Sequence, residues 1–139
     1  MEYQHSELTG KIIAAAMEVH RLLGNGFQEA IYHNSLKIEL ANNNVPNASE
    51  VAMPVMYKGS QVGVRRVDIL VDSIICVELK AVARLEDVHL AQALNYLEAF
   101  NLEVGLLLNF GSKSLEVKRL FNKKYKSVSD IKPESVQSD

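Results

Sequence analysis

Between Leu8 and Leu23 apolar residues recur at positions 8, 12, 13, 16, 19 and 23, with His20 as a semi-apolar member of the same stripe. That spacing predicts an amphipathic helix, and Gly24 stands where a glycine C-cap belongs. A short turn, Gly24-Asn25-Gly26, leads to a second helix from Gln28 to about Ala41, carried by Ile31, Leu36 and Leu40. It dissolves into Asn42-Asn43-Asn44-Val45-Pro46, which is loop chemistry. The period then becomes strand-like. Val51 to Tyr57 and Val62 to Val71 flank Lys58-Gly59-Ser60-Gln61, a hairpin pattern, and Ile74 to Lys80 completes a three-strand meander. Leu85 to Phe100 lacks Gly and Pro and predicts a third helix, with Glu86 and Asp87 near its start, where acidic groups are favoured. Glu103 to Asn109 is an apolar strand expected to lie parallel to the 74–80 strand through that helical crossover. Ser114 to Phe121 reads as a further strand or a short helix. The pattern therefore predicts an α/β fold: a mixed central β-sheet, three-strand meander plus crossover strand, flanked by α-helices. In this reading residues 1–126 form a single domain and the polar stretch 127–139 a disordered tail.

Three charges interrupt the strands. Val67-Asp68-Ile69-Leu70-Val71 and Ile74-Ile75-Cys76-Val77-Glu78-Leu79-Lys80 are otherwise almost wholly apolar at both parities, the mark of strands covered on both faces. Side chains alternate along a strand, so Glu78 and Lys80 share one face and Val77 and Leu79 the other. An odd-length loop near Asp72-Ser73 would set Asp68 opposite Glu78, with the two carboxylates about 5 Å apart at Cβ. Like charges so close repel unless one takes a proton or a cation sits between them, and a hard divalent ion with oxygen ligands suits the second case. A same-face Glu78–Lys80 ion pair, with Asp68 capping the neighbouring turn, is the structural alternative. On the third helix Leu90, Leu94 and Leu97 are expected to face the core. His89, Gln92 and Tyr96 form a polar stripe that would project toward the carboxylates. Glu29 and Tyr32 sit three apart at the start of the second helix and share a face that could meet the Asp68 strand. A helix-dipole role for Glu29 is the plainer reading.

Asp68, Glu78-x-Lys80 and Gln92-x-x-x-Tyr96 together resemble the active-site series of the PD-(D/E)XK nuclease superfamily, in the style of its RecB-like and lambda-exonuclease-like branches. Gly26-Phe27-Gln28-Glu29-Ala30-Ile31-Tyr32 is similar to the signature of the GxxExxY proteins within that superfamily. The resemblance continues through His20-Arg21-Leu22-Leu23-Gly24, Arg66-Val67-Asp68, Val77-Glu78-Leu79-Lys80-Ala81 and the 105–111 stretch Gly105 to Gly111, and covers roughly residues 6 to 121. Val67 departs from the proline of the superfamily name. The resemblance implies a restriction-endonuclease-like core and metal-assisted hydrolysis of a phosphodiester. Mg2+ or Mn2+ would be held by Asp68, Glu78 and the Leu79 backbone carbonyl, with Glu29 acting through a water. Lys80 would orient or deprotonate the attacking water. Gln92 and Tyr96 would position phosphate or the lysine, with Tyr32 and His89 as weaker candidates. Two alternatives stay open: a catalytically inactive module of the same fold that binds nucleic acid or a protein partner, and a purely structural subunit.

Composition alters this picture at one point. The 139-residue chain is 47% hydrophobic, enough for a real core, and carries 15 basic against 17 acidic residues, a net charge of -2. An acidic balance argues against binding nucleic acid, yet residues 111–139 hold 7 basic and 4 acidic residues, leaving 8 and 13 for the rest. Lys113, Lys118, Arg119, Lys123, Lys124 and Lys126 could follow a phosphate backbone, with Arg65 and Arg66 as a second patch. The alternative is a solvated surface. Nucleic acid, with DNA favoured, is the expected partner, and the small size leaves a homodimer open. No apolar run is long enough to span a membrane, and the polar Met1–Glu7 segment lacks a secretory pattern. A single cysteine, Cys76, excludes an internal disulfide and fits the cytoplasm, where its strand position makes it a small core residue.

Overall fold

The first apolar stripe folds as helix α1 (Ser6–Leu23), which buries Ile12, Ala15, Ala16 and Val19. It stops at Gly24, whose positive φ of 75° lets its N–H turn back to the His20 carbonyl at 2.8 Å. The chain is described here by a computed structural model covering residues 5–127 and 129, so most of the expected polar tail lies outside the described residues. Helix α2 (Glu29–Asn42) buries Tyr32, Leu36 and Leu40. Ile31, expected in that stripe, is exposed, and the heavier Tyr32 takes the core position instead.

Strand β1 (Asn47–Tyr57) begins earlier than its apolar run, because Asn47, Ala48 and Ser49 pair with Val71, Leu70 and Ile69 of β2 (Ser60–Val71). Pairing to a neighbour outweighs the weak strand propensity of these small polar residues. Lys58 and Gly59 form the two-residue turn between β1 and β2, both at positive φ (49° and 83°), as a tight hairpin of this hand requires. Strand β3 (Ile75–Lys80) runs antiparallel to β2 and parallel to β4 (Val104–Asn109). Helix α3 (Asp87–Ala99) makes the crossover between them. It starts two residues later than the pattern predicts because the Leu85 N–H is taken by the Glu116 carboxylate at 2.8 Å, leaving Glu86 as the N-cap. Strand β5 (Glu116–Phe121) adds antiparallel to β4, which settles the strand-or-helix alternative in favour of a strand.

The sheet order is β1-β2-β3-β4-β5, a mixed α/β architecture of the restriction-endonuclease-like kind. One core lies under α1 and α2 and includes Ile69, Val71, Ile75, Val77, Leu79, Leu106 and Leu108. A smaller one under α3 joins Val67, Cys76 and Leu97 with Met53, Leu70 and Leu94 packed against them. β3 and β4 are thus covered on both faces, as their continuous apolar runs predict.

Candidate functional site

The loop Asp72-Ser73-Ile74 between β2 and β3 has an odd length, closed by Ile74 N–H to Val71 O at 2.9 Å, with Asp72 and Ser73 at φ 52° and 58°. Its register pairs Ile69 with Val77, and one step further Asp68 stands opposite Glu78. There the backbone ladder gives way to a reciprocal lock. The Asp68 N–H donates to Glu78 Oε2 at 3.1 Å, and the Leu79 N–H donates to Asp68 Oδ2 at 2.8 Å. Each carboxylate is therefore fixed against the other strand's backbone, and the ion-pair-plus-cap alternative does not describe the site.

The sheet is irregular at this level. Val67 packs with Cys76 and Leu97 on the α3 side, whereas Ile69 and Val71 belong to the opposite core. Residues two apart on a regular strand share a face, so the pleat changes phase at Asp68. On β1 the position across from it is Glu50, skipped between the Ser49↔Ile69 and Val51↔Val67 pairs and held at φ 50°. The break opens a cleft of about 340 Å3 beside Asp68, lined also by Glu29, His33 and Glu50. His33, on α2 four residues after Glu29, places Nε2 2.9 Å from the Asp68 carbonyl oxygen.

Glu78 is 5% exposed, and burial followed by the Asp68 charge pushes its carboxyl up to about 7. The Asp68 N–H bond, Arg65 and Lys80 pull the other way without cancelling the rise. Among the described residues no cationic side chain lies within ion-pair range of Asp68 or Glu78. Glu29 is exposed at the mouth of the cleft, where partial desolvation and then Asp68 raise its carboxyl, against Lys80, His33 and Arg65. Burial, then Glu78, push the Cys76 thiol far above its ordinary value. A neutral thiol suits a core residue and not a nucleophile.

On the α3 side Glu78 and Lys80 share a narrow crevice with His89, Gln92 and Tyr96. The polar stripe of α3 thus meets the Glu-x-Lys face. The expected apolar stripe is shifted slightly, with Ala93 and Leu97 buried and Leu90 and Leu94 partly exposed. Arg65 stacks over the Tyr96 ring, 4.5 Å from its centroid. Two weaker candidates have structural tasks instead. His89 Nδ1 accepts the Glu86 N–H at 2.9 Å as half of a capping box. Tyr32 is fully buried, stacks on Phe110 at 4.8 Å, donates its hydroxyl hydrogen to Gly24 O at 2.7 Å and accepts from Phe27 N–H at 3.1 Å. It therefore holds the turn that delivers Glu29, and does not face Asp68.

The basic residues of the C-terminal stretch are dispersed. Lys118 lies across from Leu107 and Arg119 from Leu106, both exposed on β5. Lys123, Lys124 and Lys126 follow the far end of β5, where Lys124 pairs with Glu98 at 3.7 Å. Lys113 lines a separate, larger cavity of about 570 Å3 against α1, which contains none of the carboxylates of the β2–β3 pair. Arg65 and Arg66 stand nearer the carboxylates, on β2 itself.

Residues outside the expected set complete the support. Buried Asn109, paired with Lys80, accepts the Val82 and Gly111 N–H groups at 2.9 and 3.0 Å through Oδ1. Its Nδ2 donates to Val82 O at 2.9 Å and Glu116 Oε1 at 2.7 Å. These bonds fasten the segment after Lys80, and with the Leu85 N–H they hold the Glu116 carboxyl below its ordinary value. The signal was available: Asn109 is a lone amide closing an apolar strand, the same kind of interruption that marks Asp68. His33, Glu50 and Glu116 carry no such mark, because they lie in mixed polar surroundings.

A profile of the PD-(D/E)XK nuclease superfamily matches residues 6–120. The chain belongs to the PD-(D/E)XK nuclease superfamily. Members of the superfamily generally use divalent metals. A search of curated proteins found no match. Among solved structures, the chain is similar to one titled "Crystal structure of SSO0001", with 22% identity and a TM-score of 0.51 over 68% of this chain. The chain spans half the length of that structure, and the likeness concerns the fold alone. Among the described residues, no three His, Cys, Asp or Glu side chains gather as a ready-made metal cage, and no helix is long and apolar enough to cross a membrane.

Proposed function

We propose that this PD-(D/E)XK protein is a metal-dependent nuclease of the GxxExxY kind, allied to the RecB-like and lambda-exonuclease-like branches, that hydrolyses phosphodiester bonds in DNA. The observation that carries the reading is the reciprocal lock of Asp68 and Glu78. It fixes two carboxylates on facing positions of neighbouring strands, one of them buried, with no ion-pair partner among the described residues. Such a pair is destabilising by itself and becomes favourable around a hard divalent cation. The donors fit Mg2+ or Mn2+: Asp68, Glu78 and the Leu79 carbonyl would hold the ion, Glu29 would reach it through a water, and solvent or a substrate phosphate would complete the shell. When bound, the ion supplies Lewis acidity to the phosphodiester.

The remaining chemistry belongs to side chains. Lys80, on the same strand face as Glu78, orients the attacking water and offsets negative charge as it develops on the phosphate. Gln92 and Tyr96 line the same crevice and position the phosphate or the lysine. Arg65, over the Tyr96 ring, adds a cation beside these residues. The test is incubation of single- and double-stranded DNA and RNA with the purified protein, in Mg2+ or Mn2+ against EDTA, beside Lys80→Ala. Cleavage that requires metal and is lost in the variant supports the reading. A folded protein that cleaves nothing overturns it in favour of a binding module of nuclease fold.

A further inference from the structure

The β1–β2 ribbon outruns the sheet that supports it. β3 pairs with β2 only from Ile69 to Val71, yet β2 runs back from Asp68 to Ser60, about 27 Å at about 3.4 Å per residue. Met53 and Arg65 at its root still touch the α3 side, but every residue from Met56 to Val64 is exposed. Val62 and Val64 are 63% and 57% exposed, as are Met56 and Tyr57 to similar extents. A bare two-stranded ribbon is marginal in water, so this one calls for a partner along its length.

Its charge and shape identify the partner. From Val51 to Arg66 the chain carries Lys58, Arg65 and Arg66 and no acidic residue, inside a protein of net charge -2. The cations stand at the tip and the root, and the face between them, with Pro54 opposite Val64, is uncharged. That is the profile of two phosphate rails flanking a groove floor of base edges and methyl groups. A second copy of the chain fits poorly. Pro54 removes a donor from the free β1 edge, the register slips between Val55 and Met56, and like-charged arms repel.

We propose that the β1–β2 ribbon is a grip for double-stranded DNA, lying along the major groove with Lys58 and Arg66 on phosphates about six base pairs apart. The proposal rests on the nuclease reading, since the root of the ribbon is continuous with Asp68 through Arg65 and Arg66, and it names the substrate class as B-form duplex. The major groove of an RNA duplex is too narrow to admit a ribbon, and a single strand offers no groove.

The experiment measures fluorescence anisotropy of a labelled DNA duplex, its single strand and the matching RNA duplex in EDTA, where binding is read without turnover. The proteins are wild type, Lys58→Glu/Val64→Asp and Lys58→Arg, all altered only at exposed positions. The proposal expects wild type to prefer the DNA duplex. It expects the double variant to lose about tenfold or more of that affinity, with a flatter salt dependence and an unchanged Tm, and Lys58→Arg to keep it. Equal duplex affinity in wild type and double variant overturns the proposal, as does preference for single strands or RNA. A variant that changes sedimentation mass but not DNA affinity overturns it in favour of self-association. Cleavage by the same samples in Mn2+ separates the two claims. Wild-type cleavage with unaffected duplex binding in the variant removes the grip and leaves the nuclease, whereas ribbon-dependent binding without cleavage does the reverse.

Discussion

Replacing Glu78 by Gln tests whether the carboxylate pair is a strained anion site. Glu78 is buried, and its carboxyl is raised from an ordinary value of 4.5 to about 7, first by burial and then by Asp68. The folded protein therefore holds the Glu78 proton more tightly than the unfolded chain does. Stability is fully present below about pH 4.5, falls as pH rises through the window to about 7, and is level above it as far as this group is concerned. At about 1.4 kcal/mol per pH unit, that interval has a ceiling of about 3 kcal/mol. Glutamine keeps an oxygen for the Asp68 N–H and carries no charge, so Glu78→Gln recovers much of this at pH 8 and little at pH 4.5. For a chain of this length the gain at pH 8 corresponds to about 10 °C in Tm. The assay is thermal or urea unfolding of both proteins in EDTA from pH 4.5 to 8, taking the difference between them to remove contributions from other groups. Adding Mn2+ at pH 8 should raise wild type and leave the variant almost unmoved. A variant that is no more stable than wild type at pH 8 in EDTA, or a difference that does not depend on pH, refutes the reasoning.

Three further outcomes follow from the supporting residues. Tyr32→Phe keeps the stack on Phe110 but orphans the Gly24 carbonyl and the Phe27 N–H, so urea unfolding should show a loss of about 1–3 kcal/mol with little change in metal affinity. In Gly111→Ala the added Cβ overlaps the Val82 carbonyl oxygen and the Ala81–Val82 peptide. Melting should show about 1–3 kcal/mol of destabilisation, and cleavage should fall because the segment after Lys80 must shift. Asn109→Ala removes four hydrogen bonds around Val82, Gly111 and Glu116, with an expected cost of about 3 kcal/mol by urea titration and loss of the low carboxyl value at Glu116 by NMR.

Much of the architecture was legible because burial on both faces leaves a plain mark. The apolar runs at 67–71, 74–80 and 103–109 place the inner strands, and the three charges inside them mark the candidate site. An odd loop was enough to infer that Asp68 faces Glu78, since strand alternation fixes the rest. What escaped depends on pairing and on hydrogen bonds between distant segments. The polar start of β1 is a strand only because β2 lies beside it. The role of Tyr32 depends on Phe110, far along the chain, and that of His89 on a backbone N–H three residues away. The phase change at Asp68, which opens the cleft toward Glu29 and His33, rests on the conformation of Glu50 across the ribbon. A non-glycine residue at positive φ inside a strand has no signature in composition or period.

The most direct measurement is a titration of the metal-free protein with Mn2+ followed by electron paramagnetic resonance, with Asp68→Asn/Glu78→Gln as the comparison. Wild type should show saturable binding, with proton release near pH 6 as the ion displaces the proton that Glu78 retains there, and the double variant should lose both signals. Binding that survives in the double variant, or a wild type that takes up no ion while remaining folded, would contradict the assignment of the Asp68–Glu78 pair as the metal site.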